Sequence, residues 1–178
     1  VADGITVVVA AGNESTDSCT KSPASAPNAI TVGATASDDS RAFYSNFGAC
    51  IDIFAPGSSI ISAGISSTTA TAQMSGTSMA SPHVAGVAAL MKSVRSSLTP
   101  VEFDALLESG SLTDDLGLAG KDTFYGVGLI NAYKAVRAAN TNLADLSARI
   151  SVSPSNIDFD AVFNSIDVYV SLIGNVSQ

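Results

Sequence analysis

A serine with the surroundings of a nucleophile stands in the string Gly-Thr-Ser-Met-Ala-Ser-Pro-His at positions 76–83. The apolar stretch that follows predicts a helix from Ser78 to about Val94, so Ser78 would open that helix. Backbone N–H groups at a helix start have no partner inside the helix, and the helix dipole is positive there. Both features stabilise an oxyanion that forms beside the serine. The alternative is that Ser78 or Thr77 simply caps the helix, as Ser and Thr often do.

The chain has a single histidine, His83, and its position decides whether a catalytic triad is present. His83 follows Ser78 by five residues on the predicted helix. At about 100° per residue, the two side chains lie roughly 140° apart around the helix axis. The imidazole therefore cannot reach Ser78 Oγ, and we expect a structural role for His83. A Ser-His-Asp triad cannot be completed within this sequence.

The elements around Ser78 predict an α/β domain with a mainly parallel sheet. Short, β-branched apolar runs at 5–10, 29–34 and 51–55 indicate strands that are buried on both faces. The helix after Ser78 is apolar nearly all round and is expected to be buried. A second helix begins at Thr99, where Pro100 and Glu102 complete a capping box, and a third covers about 131–139. An apolar first strand at the edge of a sheet is unusual, so we expect more sheet on its N-terminal side.

Longer motifs give these elements a family resemblance. The eleven residues from Gly76 to Gly86 resemble the nucleophile motif of the subtilisin-like serine proteases, or subtilases. Val-Ala-Ala-Gly-Asn at 9–13 resembles the subtilase segment that carries the oxyanion-hole asparagine, and Gly-Val-Gly-Leu-Ile-Asn-Ala at 126–132 resembles the end of the catalytic domain. The resemblance implies that residues 1–140 are the C-terminal part of a subtilisin-like, three-layer catalytic domain whose N-terminal half is missing.

The resemblance also implies a role for each matching residue. Ser78 would attack the scissile carbonyl, while Asn13 Nδ2 and the Ser78 backbone N–H would hold the oxyanion. The small residues Ala10, Ala11 and Gly12 would line a substrate pocket that is open to bulky apolar side chains. The catalytic Asp and His would come from the missing N-terminal half. We therefore expect this chain alone to be inactive, and poorly soluble or only partly folded.

Two cysteines and one aspartate refine the comparison. Cys19 and Cys50 are 31 positions apart, a spacing that by itself leaves open a disulfide or two unrelated buried thiols. The segments around them resemble the proteinase K and aqualysin branch of the subtilases, which implies a Cys19–Cys50 disulfide and secretion. The same branch implies a structural Ca²⁺ bound by the carbonyl oxygens of Pro27 and Ala29 and by Asp52. The alternative is that Asp52 faces solvent from an alternating strand.

Composition excludes several other classes. The formal net charge is -8 without a basic patch, so nucleic acid is not an expected partner. Polypeptide substrates are what the subtilase resemblance implies. No apolar stretch is long enough to span a membrane, and no motif implies an organic cofactor. The alternating pattern of 141–178 predicts the start of a small β-rich module.

Alternative functions differ in how well the motifs support them. An α/β-hydrolase would need Gly-x-Ser-x-Gly and a later histidine, and neither is present. A non-catalytic subtilase-like protein that binds polypeptide stays open, as does an accessory binding module in the tail.

Overall fold

The computed structural model describes residues 3–140, which fold as one α/β unit. The strands are Val8–Ala10 (β1), Ile30–Thr35 (β2), Ile53–Pro56 (β3), Ile60–Ala63 (β4), Thr71–Met74 (β5), Thr113–Asp114 (β6) and Leu129–Ile130 (β7). The helices are Thr77–Val94 (α1), Pro100–Glu108 (α2) and Ala132–Ala139 (α3). A single 3₁₀ turn covers Ser18–Thr20.

The main sheet is largely parallel, as the sequence predicts. Its strand order is β1-β2-β3-β7-β6; the pairs β1/β2, β2/β3 and β3/β7 are parallel, and the short β6 pairs antiparallel with β7. All six residues of β2 are buried, as expected of a strand that lies between two others. Helix α1 packs on the first three strands and α3 packs on α1. This arrangement places the N-terminus of α1 near the end of β1.

The first strand is shorter and more exposed than predicted. It covers only Val8–Ala10, whereas the sequence predicts a buried strand over 5–10. Ile5 is 63% exposed and Val7 is 38% exposed. Among the described residues β1 is the edge of the sheet and pairs only with β2, so one side of it has no neighbour to bury it.

Helix α1 begins and ends close to the predicted bounds, and the described residues bury only one of its faces. One face is buried against the sheet and α3, with Val84 and Met91 at 0% exposure. The opposite face is exposed and still apolar: Ala85, Ala89 and Leu90 lie there, and Leu90 is 50% exposed. No described element covers this face. Helix α1 therefore has the composition of a buried helix, although one of its faces is exposed to solvent.

The second helix forms as predicted. The Thr99 side chain accepts from the Glu102 backbone N–H, the Glu102 carboxylate accepts from the Thr99 backbone N–H, and Pro100 occupies the first turn. Burial of Phe103 and Leu107 anchors this helix to the core, and each such side chain contributes about 1.5–3 kcal/mol.

Two features complete the comparison with the prediction. The antiparallel hairpin of β4 and β5 was not predicted, because its residues are mostly exposed and carry no clear alternation. The predicted β-rich module at 141–178 lies outside the described residues. Within 3–140, none of the helices is both long and apolar enough to cross a lipid bilayer.

Candidate active site

Ser78 lies exposed in the first turn of α1, where its polar groups are free. Gly76 is the N-cap residue and makes no side-chain cap, so neither Ser78 nor Thr77 is the capping residue of this helix. The neighbouring amides are engaged: Thr77 N–H donates to Asn13 Oδ1, and Met79 N–H donates to the Gly76 carbonyl at 2.9 Å. Within the described residues, the Ser78 backbone N–H and hydroxyl have no hydrogen-bond partner. A helix-terminal donor therefore stands free beside a free hydroxyl.

Asn13 is fixed in one orientation by Thr77. Its Oδ1 accepts from the Thr77 backbone N–H at 2.8 Å and from Thr77 Oγ1 at 3.1 Å. Thr77 Oγ1 in turn accepts from the Gly12 backbone N–H at 3.0 Å. Because both bonds use the oxygen of the amide, its Nδ2 remains available as a donor, and it has no partner within residues 3–140. The Asn13 side chain and the start of α1 are thus joined directly, although 65 residues separate Asn13 from Ser78.

His83 makes its one hydrogen bond to its own helix. Its Nδ1 lies 2.8 Å from the carbonyl oxygen of Met79, four residues earlier. The ring makes no hydrogen bond to Ser78. No other histidine is present in the sequence, so this chain offers no second imidazole as a base for the hydroxyl of Ser78.

The three small residues before Asn13 differ in accessibility. Ala11 is fully buried and packs with Ile51 and Phe54, so its methyl group belongs to the core and cannot contact a substrate side chain. This corrects the expectation that Ala11 lines a pocket with its side chain. Ala10 and Gly12 are partly exposed and stay candidates for that role.

Sequence analysis did not identify Asn46 as a residue of this site. Asn46 is completely buried, yet its side chain makes four hydrogen bonds to the loop that carries Asn13. Its Oδ1 accepts from the N–H groups of Glu14 (3.1 Å) and Thr16 (3.0 Å). Its Nδ2 donates to the Ala11 carbonyl and to the Glu14 carboxylate, both at 2.8 Å. The only sequence signal was an asparagine in a polar loop, because its partners are 30–35 residues away.

A disulfide joins Cys19 and Cys50, with their Cα atoms 5.1 Å apart. It closes a loop of 31 residues that contains β2. On the chain-entropy model a loop of this length stabilises the fold by roughly 3–4 kcal/mol. The bridge ties the loop after Asn13 to the segment that leads into β3.

Asp52 lines a cavity of about 160 Å³ together with Ala29. Asn28, Asp104 and Glu108 also line this cavity, whereas Pro27 does not. The Asp52 side chain is 25% exposed and lies immediately before β3. Within residues 3–140, no group of three or more His, Cys, Asp or Glu side chains is arranged to hold a metal ion.

The charged side chains in and next to this cavity affect one another's pKa. Burial raises the pKa of Asp52, and the hydrogen bond from the Thr31 N–H at 2.8 Å opposes this shift. Burial and the neighbouring carboxylates also raise the pKa of Asp104. Lys121 compensates part of the negative charge, with its Nζ 2.8 Å from Glu108 Oε1 and 3.5 Å from Asp52 Oδ1. The cavity is thus acidic and only partly neutralised.

Comparison with known proteins defines the family. The family model of the subtilases matches residues 1–128, so the chain belongs to the subtilase family. The subtilisin-like serine protease Rho m 2.0101 of Rhodotorula mucilaginosa is 62% identical over 84 residues, which is 47% of this chain and 25% of that protein. The extracellular serine proteinase of Thermus sp. (strain Rt41A) is 56% identical over 104 residues, which is 58% of this chain and 25% of that protein.

Solved structures agree with the family assignment. A protease structure from Pseudoalteromonas arctica PAMC 21717 superposes with a TM-score of 0.69 and 33% identity, over 78% of this chain and 44% of that one. The fold is therefore subtilisin-like, as the motifs imply. The chain spans about a quarter of the length of the two curated relatives described above.

Proposed function

We propose that this chain is the nucleophile-bearing part of a secreted serine endopeptidase that hydrolyses peptide bonds of proteins. The proposal rests on three polar groups at the start of α1 that have no hydrogen-bond partner among the described residues. They are two N–H donors, on Asn13 Nδ2 and the Ser78 backbone, and the Ser78 hydroxyl. Thr77 binds Asn13 Oδ1, and within residues 3–140 Asn13 Nδ2 has no hydrogen-bond partner. The N–H and Oγ of Ser78, the residue after Thr77, have none there either. Two free N–H donors next to a serine hydroxyl are what an acyl-transfer site requires.

In the proposed reaction, Ser78 Oγ attacks the carbonyl carbon of the scissile bond. The hydroxyl proton passes to an imidazole and then to the leaving amine, while Asn13 Nδ2 and the Ser78 N–H hold the oxyanion. Water then attacks the acyl-enzyme and releases the acid with Ser78 restored. His83 is held by Met79, so the imidazole and its aspartate must come from outside this chain.

The N-terminal half of the same catalytic domain is the partner that would supply them. Two exposed apolar surfaces support this proposal. One is the face of α1 with Ala85, Ala89 and Leu90, and the other is the region of β1 with Ile5 and Val7. Covering both would give α1 the buried environment that its composition predicts and would give β1 a second neighbour.

The test compares the full-length protein with the isolated chain. We expect the full-length protein to cleave a chromogenic peptide anilide with a bulky apolar residue before the scissile bond. We also expect one equivalent of a fluorophosphonate probe to label it at Ser78. Ser78→Ala should abolish both, with a loss of at least about 1000-fold in turnover. The isolated chain should not be labelled rapidly, because without a base Ser78 is a weak nucleophile.

A nearby serine provides the matched control. Ser81 lies one turn further along α1 and makes no side-chain hydrogen bond within the described residues. Ser81→Ala should retain labelling and turnover. A full-length protein without peptidase activity would support the alternative of a subtilase-like polypeptide-binding protein, and rapid stoichiometric labelling of the isolated chain would contradict the need for a partner.

We further propose a structural Ca²⁺ held by the carbonyl oxygens of Pro27 and Ala29 and by Asp52. The chemistry of the donor set supports it, because Ca²⁺ binds carbonyl and carboxylate oxygens. Ala29 and Asp52 line the same acidic cavity, which supports them as ligands. Pro27 does not line this cavity, so its carbonyl oxygen has no such support as a ligand. When bound, the ion would neutralise the cavity and brace the segments that lead into β2 and β3.

Secretion is supported by two observations. The Cys19–Cys50 disulfide requires an oxidising compartment to form and persist. The Thermus relative is named as an extracellular proteinase.

A further inference from the structure

The segment that carries Asn46, residues 44–47, is anchored by hydrogen bonds that do not involve the loop carrying Asn13. Ser45 Oγ accepts from the Ala34 N–H of β2 at 3.0 Å and donates to the Asn46 carbonyl at 3.0 Å. Two residues after Asn46, the Gly48 N–H donates to the Thr123 carbonyl at 2.8 Å. Asn46 therefore projects from a backbone that is fixed by the central sheet and by a distant turn.

The Asn13 loop, residues 11–16, has fewer contacts with the sheet. Its first residue still pairs with β2, since the Ala11 N–H donates to the Val32 carbonyl at 3.0 Å, and beyond Ala11 the loop is held by Thr77 and by segment 44–47. Backbone bonds connect the two segments: Asn46 N–H donates to the Gly12 carbonyl (3.0 Å), and Ser15 N–H donates to the Tyr44 carbonyl (2.9 Å). The Asn46 side chain supplies the contacts that the backbone cannot make. Its four bonds reach Ala11, Glu14 and Thr16, on both sides of Asn13.

We propose that Asn46 is a positioning residue for the oxyanion hole, acting through Asn13 without touching substrate. This inference rests on the proposed function of Asn13. Thr77 holds the side-chain end of Asn13, and Asn46 holds the backbone from which that side chain starts. With the backbone fixed on both sides, the Nδ2 donor keeps one position, and donors act on an oxyanion only within a narrow range of distance.

The chemistry at Asn46 requires an amide and not merely a polar side chain. Its oxygen faces two N–H donors, while its nitrogen faces a carbonyl oxygen and a carboxylate. An aspartate would match the first pair and would place a negative oxygen against the second. The hydrogen bond from Asn46 is also the main reason that the pKa of Glu14 is lowered, so Glu14 presents an ionised acceptor.

The test is a double-mutant cycle in the full-length protein, with active-site titration to count folded, competent enzyme. Asn13→Ala should lower kcat by about 100–1000-fold, the effect known for loss of such a donor in subtilisin, a relative. Asn46→Ala should lower kcat by about 10–100-fold per titrated site with little change in KM. In the Asn13→Ala background, Asn46→Ala should lower kcat no further, because the group it positions has gone.

Two further variants separate positioning from stability. Asn46→Asp keeps the size of the side chain and its two accepted bonds, so it tests the proposal if Asn46→Ala fails to fold. The Asn46→Asp variant should also have a lower kcat than the wild type, by about 10-fold or more. Asn131→Ala is the matched control: Asn131 caps α3 and bonds Asp114 at 2.8 Å, away from the Asn13 loop, so it should lower stability and leave kcat unchanged.

The outcomes distinguish the two proposals. If wild-type full-length protein does not cleave peptides, the proposed function fails and the inference fails with it. If the wild type is active but the Asn46 variants keep its kcat per titrated site, only the inference is overturned. The inference would also be overturned if the double variant lost kcat by the product of the two single losses, of Asn46→Ala and Asn13→Ala. That result would show that Asn46 acts independently of Asn13.

Discussion

Thr77 has a role at the residue scale that differs from the usual role of a threonine at a helix start. Its hydroxyl does not cap α1; it donates to Asn13 Oδ1 and accepts from the Gly12 N–H. A single buried side chain thereby connects the loop of the candidate oxyanion asparagine with the helix of the candidate nucleophile.

We predict that Thr77→Val lowers kcat of the full-length protein by about 10-fold and lowers the free energy of unfolding by about 1–3 kcal/mol. The valine keeps the shape but leaves the Gly12 N–H unpaired, and only the backbone bond still holds Asn13. Steady-state kinetics and thermal unfolding measure the two effects. Thr35→Val is the control, because Thr35 Oγ1 is buried without a hydrogen-bond partner and should lose nothing. Equal behaviour of the two variants would contradict the prediction.

The sequence analysis identified some candidate site residues and missed others, and the two groups differ in how their proposed roles arise. Ser78 and Asn13 were predicted because each sits in a contiguous motif. Asn46 was missed because its partners come from another segment and exist only after folding. Ala11 was assigned to a pocket because the family resemblance implies that role, but the alternating directions of neighbouring side chains turn its methyl group into the core beside Phe54.

At the scale of elements, the prediction succeeded where local signals are strong. Strands β2 and β3 and helices α1 and α3 lie within two residues of their predicted bounds. Helix α2 begins where its capping box predicts, at Thr99. The hairpin of β4 and β5 was missed because its side chains are exposed. Strands β6 and β7 have two residues each, too few for a periodic pattern to appear.

The capping box gives a prediction at this scale. We expect Thr99→Ala to lower the free energy of unfolding by about 1 kcal/mol, because the Glu102 N–H loses its acceptor at 3.2 Å. Thermal unfolding of the full-length protein provides the measurement, with kcat expected to stay the same. Ser97→Ala, two residues earlier on an exposed turn, is the control and should be neutral. No difference between the two variants would mean that the box contributes nothing to stability.

At the scale of the whole molecule, the acidic cavity couples stability to pH, and the proposed Ca²⁺ would add a dependence on calcium. Burial raises the pKa of Asp52, so without calcium the folded state holds this proton more tightly than the unfolded state does. The contribution of Asp52 to stability therefore falls as pH rises from its usual pKa to the raised one. The proposed Ca²⁺ would bind the ionised carboxylate of Asp52, so its stabilising effect is expected to be greatest above that pH range.

We predict that calcium at about 100 times its Kd raises the free energy of unfolding of the full-length protein by about 3 kcal/mol at neutral pH. Asp52→Asn should lose this increment. In the presence of a chelator it should stay within about 1 kcal/mol of the wild type, because an amide oxygen can still accept from the Thr31 N–H. Thermal unfolding with and without calcium measures both effects. Asp39→Asn, at an exposed turn, is the control, and an equal response of all three proteins would place any calcium elsewhere.

The contact between Gly12 and Asn46 also limits how this region can change in evolution or in the laboratory. Gly12 has a φ of +100°, and any Cβ there would collide with Asn46 Nδ2 and Glu14 Oε2. A side chain at position 12 can be accommodated only if position 46 gives up its amide, which would release the Asn13 loop. Libraries that vary the candidate pocket should therefore change position 12 only together with position 46.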